Sequence, residues 1–177
     1  MSTTAANGRL VKRFEKWDTD GNGLLEAGDF KAEAARIARN LGRDANSPEA
    51  QQLLNAFQGL YEHLAQRVGT PAEKGISREQ FLDTTQEMLF QEGEESFDCA
   101  LAPLVQALIR LCDDDHDGEL DAGEFHAWLT AVGVPSIKAG EMFEKVDANG
   151  DGRLSEEELL RVLREFHFGR LDVELLG

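Results

Sequence analysis

Apolar residues recur along this chain at the spacing of a helix face, and the pattern breaks at regular places. Leu10, Phe14 and Trp17 form one stripe, Val105, Ile109 and Cys112 another, and Phe143 with Val146 a third. Each stripe stops at a polar window of twelve residues, and these begin at Asp18, Asp113 and Asp147. A new stripe opens straight after each window: at Phe30, at Phe125 with Trp128 and Leu129, and at Leu159 with Leu163 and Phe166. The pattern predicts helix, loop, helix three times over, and so an all-α fold.

The windows share an internal grammar. DTDGNGLLEAGD, DDDHDGELDAGE and DANGDGRLSEEE each place oxygen-bearing residues at positions 1, 3 and 5, glycine at 6, leucine at 8 and a carboxylate at 12. That is the EF-hand calcium loop. Calcium is a hard cation that takes six to eight oxygens at roughly 2.3–2.6 Å, so the loop must curl round it and present oxygens from alternating positions. Gly23, Gly118 and Gly152 permit the sharp turn. The residues at position 7, Leu24, Glu119 and Arg153, vary because that position coordinates through its carbonyl. Leu25, Leu120 and Leu154, at position 8, are expected to pair as a short ribbon with a neighbouring loop.

Three loops would leave one ribbon edge unpaired, so a fourth unit is expected between Phe30 and Val105. GTPAEKGISREQ (69–80) keeps its scaffold, with Tyr61, Leu64 and Val68 before it, Ile76 at position 8 and Phe81 after it. Its ligands are gone. Gly69, Pro71 and Glu73 stand at positions 1, 3 and 5, Lys74 replaces the glycine and Gln80 ends the loop, so this hand is expected to be structural and metal-free. Ser77 to Gln80 keeps a capping box. Four EF-hand units in two pairs, packed into one compact body, are then expected: residues 1–92 with hand one active and hand two degenerate, and 93–177 with hands three and four active and an apolar tail. The QEGEES hinge between them is broken by Gly93. Ser47 with Pro48, and Pro135 with Ser136, read as helix starts, and Pro103 should bend the helix it lies in.

Charge sharpens this picture. The chain of 177 residues carries a net −16, and the three windows hold −4, −7 and −4 of it, which leaves the remaining residues close to neutral. A nucleic-acid backbone would be repelled. No apolar run approaches a membrane span, and the opening MSTTAANGRLVKRF lacks the apolar stretch of a secretory signal. Cys99 and Cys112 are too few for a disulfide framework, so a reducing, cytoplasmic setting is expected. His63, His116, His126 and His167 show no zinc spacing and no nucleophile motif is present, so an enzyme is not expected.

With these motifs the chain resembles the calerythrins, bacterial EF-hand proteins, and more broadly the invertebrate sarcoplasmic calcium-binding proteins. The likeness spans WDTDGNGLLEAGDF, a silent second hand, CDDDHDGELDAGEF, VDANGDGRLSEEEL and the ending FHFGRLDVELLG. It implies Asp18, Asp20, Asn22, Leu24 and Asp29 as the ligands of loop one. For loop three it implies Asp113, Asp115, Asp117, Glu119 and Glu124, and for loop four Asp147, Asn149, Asp151, Arg153 and Glu158. It implies a calcium buffer or transporter binding three ions, a monomer with no assigned protein target, and the alternative of a sensor that regulates a partner. Asp29 stands where glutamate is usual, so loop one is expected to be the site at which magnesium competes best. The three methionines favour the buffer, because promiscuous helix-binding grooves are methionine-rich. In the tail, Phe168, Leu171, Val173, Leu175 and Leu176 alternate with Arg170, Asp172 and Glu174. The tail is expected either to pack on the core or to fill the cleft that a sensor would offer its target.

Overall fold

Every polar window is flanked by the two helices its stripes predict. The computed structural model describes residues 2–173, 175 and 176. Helix α1 (Ser2–Trp17) leads into loop one and the two-residue strand β1 (Leu24–Leu25), followed by α2 (Ala27–Asn40). Helix α3 (Pro48–Val68), strand β2 (Ile76–Ser77) and α4 (Arg78–Glu87) form the second unit. Then come α5 (Glu94–Cys112) with α6 (Ala122–Val132), and α7 (Ala139–Val146) with α8 (Glu156–His167).

Consecutive loops meet through their position 8 residues. β1 runs antiparallel to β2 with Leu25 opposite Ile76, and Leu120 bridges Leu154. All four of these side chains are fully buried. Gly75 shows why the degenerate loop still pairs: its φ is +74°, and a Cβ there would stand 3.0 Å from Glu26 Cγ and 3.2 Å from the Leu25 carbonyl oxygen. Only glycine fits both conditions.

One continuous apolar core runs through both halves of the chain. α3 lies along α2 and α5, α5 lies along α8, and α2 meets α6. Trp17 centres an aromatic cluster with Phe30, Phe57 and Phe81 at 5.2–6.5 Å between ring centroids. Such pairs add about 0.5–1.5 kcal/mol each beyond burial.

Two connections differ from their sequence reading. The hinge shrinks to Gly93 (φ +89°), because Met88–Glu92 form a π-helical turn and Glu94 already starts α5. Pro103 lies inside α5, which continues on both sides of it. Ser47 caps α3 as expected, its hydroxyl accepting from the Ala50 N–H at 3.2 Å. Pro135 and Ser136 do not do this for α7: Ser136–Lys138 form a 3₁₀ turn and the helix starts at Ala139.

The tail is packed. Val173, Leu175 and Leu176 are buried, and the Trp128 indole N–H donates to the Leu175 carbonyl at 2.7 Å. Leu176 reaches a cavity of about 50 Å³ bordered by Leu10, Trp17, Leu64, Phe81 and Leu101. Arg9 of α1 straps this segment down by donating to the carbonyls of Phe166 and of Leu171, the latter at 2.8 Å. Glu174 and Gly177 lie outside the described residues.

Candidate metal centre

Three loops carry the same set of local hydrogen bonds. The N–H at position 6 donates to the position 1 carboxylate: Gly23 to Asp18 and Gly118 to Asp113 at 2.9 Å, Gly152 to Asp147 at 3.0 Å. Position 5 donates to position 3: Asn22 to Asp20 at 3.1 Å, Asp117 to Asp115 at 3.2 Å, Asp151 to Asn149 at 3.1 Å. The N–H at position 7 donates to the position 5 side chain, from Leu24, Glu119 and Arg153, each at 2.9 Å. These bonds turn the side-chain oxygens of positions 1, 3 and 5 inward along one arc. Position 4 is left-handed in all three loops, at Gly21 (φ +69°), Gly150 (φ +70°) and His116 (φ +57°). Histidine is several-fold enriched among the non-glycine residues that tolerate this conformation.

Position 12 closes each arc from the following helix. Position 9 donates its N–H to position 12: Glu26 to Asp29 and Asp121 to Glu124 at 2.9 Å, Ser155 to Glu158 at 3.0 Å. In loops three and four the position 9 side chain returns a bond to the position 12 N–H, completing a capping box. Asp29, Glu124 and Glu158 are buried, which is costly for a carboxylate unless it is hydrogen-bonded or coordinates a cation.

The loops differ in how closely their acids gather. In loop three, oxygens of Asp113, Asp115, Asp117 and Glu124 all lie within 4.8 Å of one another. Loop one brings Asp18, Asp20 and Asp29 together to the same limit. The acids of loop four, Asp147, Asp151 and Glu158, are not gathered as a group of three to that distance among the described residues. Its third position is the amide Asn149, whose N–H reaches Glu158 Oε1 at 3.4 Å. Loop one also holds a buried acceptor, Asp18 Oδ1, with no hydrogen-bond partner among the described residues. A buried carboxylate oxygen left without a hydrogen bond, on an acid gathered with two others, fits a cation. The donors are all hard oxygens, as calcium and magnesium require.

Loop two lacks this arc. Ala72–Lys74 wind into a 3₁₀ turn, and the left-handed residues are Gly69 and Gly75 at positions 1 and 7. The bond from position 9 to position 12 survives, Ser77 N–H to Gln80 Oε1 at 2.9 Å, as does its return from Gln80 to Ser77.

Two features escape the consensus pattern. The Thr19 hydroxyl donates to Asp29 Oδ1 at 2.9 Å, so both oxygens of this shorter acid are held by loop one itself. Arg153 pairs with Asp117 across the two loops. Its being the lone base in three acidic windows was the visible signal for it. Outside the loops, burial pushes the Cys112 thiol up to about 12, which keeps it a protonated core residue.

Residues 104–164 match the family model for an EF-hand domain pair. Calerythrin of Saccharopolyspora erythraea is 49% identical over 177 residues, the whole of both chains. Among solved structures, a Streptomyces coelicolor calcium-binding protein superposes with a TM-score of 0.75 at 27% identity, covering 93% of this chain and 99% of the other. Magnesium-loaded apo-berovin, a ctenophore photoprotein, gives 0.70 at 26% identity, covering 90% and 86%. Whole-length identity with calerythrin, together with the repeated loop geometry, places the chain: it belongs to the calerythrin family of EF-hand calcium-binding proteins.

Proposed function

We propose that the chain is a calcium buffer that takes up three ions, one each in loops one, three and four, while loop two takes none. The ligands in this reading are Asp18, Asp20, Asn22, Leu24 and Asp29; Asp113, Asp115, Asp117, Glu119 and Glu124; and Asp147, Asn149, Asp151, Arg153 and Glu158. Leu24, Glu119 and Arg153 serve through their carbonyls. The hydrogen-bond arc shared by these three loops supports the set. The pairing of consecutive loops supports a division into an N-terminal pair, 1–92, and a C-terminal pair, 93–177.

Buffer over sensor rests on one observation: apolar surface is covered from within. Among the described residues the large apolar side chains left exposed are Phe90 and Ile137, which lie on different elements, and the tail is buried between helices. A sensor needs an apolar groove that opens with calcium. The sensor reading is favoured by the likeness to the Streptomyces coelicolor protein, which was solved as a basis for prokaryotic calcium-mediated regulation. We place the protein in the cytoplasm as a monomer without catalytic activity. No helix among the described residues is long and apolar enough to cross a membrane. Magnesium is assigned as competitor, foremost in loop one, in keeping with berovin, whose three calcium loops bind magnesium.

Calorimetric titration with calcium, with and without magnesium, tests the stoichiometry, and an apolar dye added in calcium and in chelator tests the role. Three ions and little dye response are expected. A large calcium-dependent rise in dye fluorescence overturns the buffer in favour of the sensor.

A further inference from the structure

Loops three and four meet back to back. Leu120 and Leu154 exchange both backbone hydrogen bonds, at 2.9 and 2.7 Å. Beside this bridge Arg153 sends its side chain out of loop four, and Nη1 pairs with Asp117 Oδ2 in loop three. Asp117 Oδ1 already accepts from the Glu119 N–H. The oxygen that Arg153 holds is therefore the one left over within loop three. It belongs to one of the four acids whose oxygens converge there.

We infer that Arg153 sets the calcium affinity of loop three, as a resident cation that lowers it. This rests on the reading of loop three as a calcium site. Loop three carries seven acids and no base, so the guanidinium relieves repulsion among them while no ion is bound. Once an ion sits among the same carboxylates, the guanidinium repels it. Both effects weaken binding. The opposing effect, pre-organisation of Asp117, is small, because the loop fixes that residue without help: its N–H donates to Asp113 and Asp115, each at 3.2 Å, and its Oδ1 is held by Glu119. The side chains of Arg153 and Asp117 are 50% and 25% exposed, so water-like screening applies. A unit charge about 6 Å from a divalent ion then changes affinity by about tenfold.

The N-terminal pair lacks the device. Position 5 of loop one is the neutral Asn22, which donates its amide to Glu26 Oε2 at 2.8 Å. Position 7 of loop two is Gly75, with no side chain to send across. Arg153 thus tempers the most acidic of the loops and draws its affinity towards those of the others.

The test is calcium titration by calorimetry of the full chain, stripped with chelator, comparing wild type, Arg153→Gln and Lys138→Gln. Each is repeated in a Glu124→Gln background, which disables loop three, and far-UV circular dichroism checks the fold. Arg153→Gln is expected to tighten one binding step about tenfold, and Lys138→Gln, which removes an exposed charge outside the loops, to leave it within about twofold. The gain should vanish in the Glu124→Gln background and shrink on raising salt from about 0.1 to about 1 M, where the Debye length falls to about 3 Å. Unchanged or weaker binding in Arg153→Gln, a gain that survives Glu124→Gln, or a gain indifferent to salt overturns the inference. If Glu124→Gln alone leaves wild-type calcium uptake intact, loop three is no site and the functional reading falls with it.

Discussion

At the scale of residues, small differences in reach and burial decide chemistry. Asp29 is one methylene shorter than the glutamates that end loops three and four, and Thr19 and Glu26 each hold one of its oxygens. A carboxylate so held offers one oxygen readily and two with difficulty, which suits the six-coordinate shell of magnesium better than calcium's larger one. Asp29→Glu should therefore raise the calcium-over-magnesium preference of loop one by about tenfold, measured by calcium titration in excess magnesium, and an unchanged ratio would refute the argument. His167 makes a different point. It is buried, with Nδ1 bonded to the Leu163 carbonyl at 2.7 Å and Nε2 accepting from Arg13 Nε at 3.4 Å. Burial, aided by the positive charge of Arg13, pulls its pKa from 6.5 down to about 3. Between those values the unfolded chain takes up a proton that the folded chain refuses. Stability should thus fall as pH drops from about 6.5 towards 3, by up to about 1.4 kcal/mol per pH unit from this group, and be indifferent to it at higher pH. Denaturant melts of His167→Gln should show a shallower acid limb than wild type; parallel limbs would contradict this origin.

At the scale of elements, the loops were legible because metal loops are written in local residues. Positions 1, 3, 5, 6 and 12 of loops one, three and four act within twelve residues of chain, so spacing alone carries them, and position 8, which pairs with another loop, keeps a fixed place in the same pattern. The scaffold of loop two was legible in part for the same reason: the Ser77–Gln80 box needs only its neighbours, while Ile76 stands out by its place at position 8 and pairs with Leu25 of loop one. What escaped depends on distant partners. The π-helical turn at Met88–Glu92 and the late start of α7 are not written in local spacing, because packing against other helices overrides local preference. The cross-loop pair of Arg153 with Asp117 likewise joins residues that only the folded bridge brings together. Loop two extends this reasoning to a prediction. Its backbone follows a 3₁₀ turn with glycine at position 7 rather than 6, so restoring the last ligand cannot restore the arc. Gln80→Glu should leave the calcium stoichiometry at that of wild type in calorimetric titration, and an added ion would show the arc to be recoverable.

At the scale of the whole molecule, the tail joins parts of the chain that the loops alone would leave separate. It leaves α8 through Gly169, whose φ of +81° turns the chain back over the helices. Arg170 then pairs with Glu94 and Glu165 at 3.0 Å, and Phe168 meets Phe90 edge-on at 5.9 Å. Arg9 holds the Leu171 carbonyl, Trp128 holds that of Leu175, and Leu176 borders the cavity beside Trp17 and Phe81. Trp128 lies in the helix that carries Glu124, and Trp17 directly precedes Asp18, so the tail touches the supports of loops three and one together. A variant ending at Gly169 exposes the faces that Val173, Leu175 and Leu176 cover and leaves the Trp128 N–H without its acceptor. Burial of an aliphatic side chain contributes about 1.5–3 kcal/mol, and collapse of the emptied space recovers part of that, so a loss of about 3–5 kcal/mol is expected for the three. Denaturant unfolding in saturating calcium measures it. The same variant should bind an apolar dye in calcium where the full chain does not, because the cleft that the tail fills is then open to solvent. If neither stability nor dye binding changes, the tail covers nothing that matters to the fold, the self-filled buffer loses its support, and the calcium-gated sensor becomes the better account of the molecule.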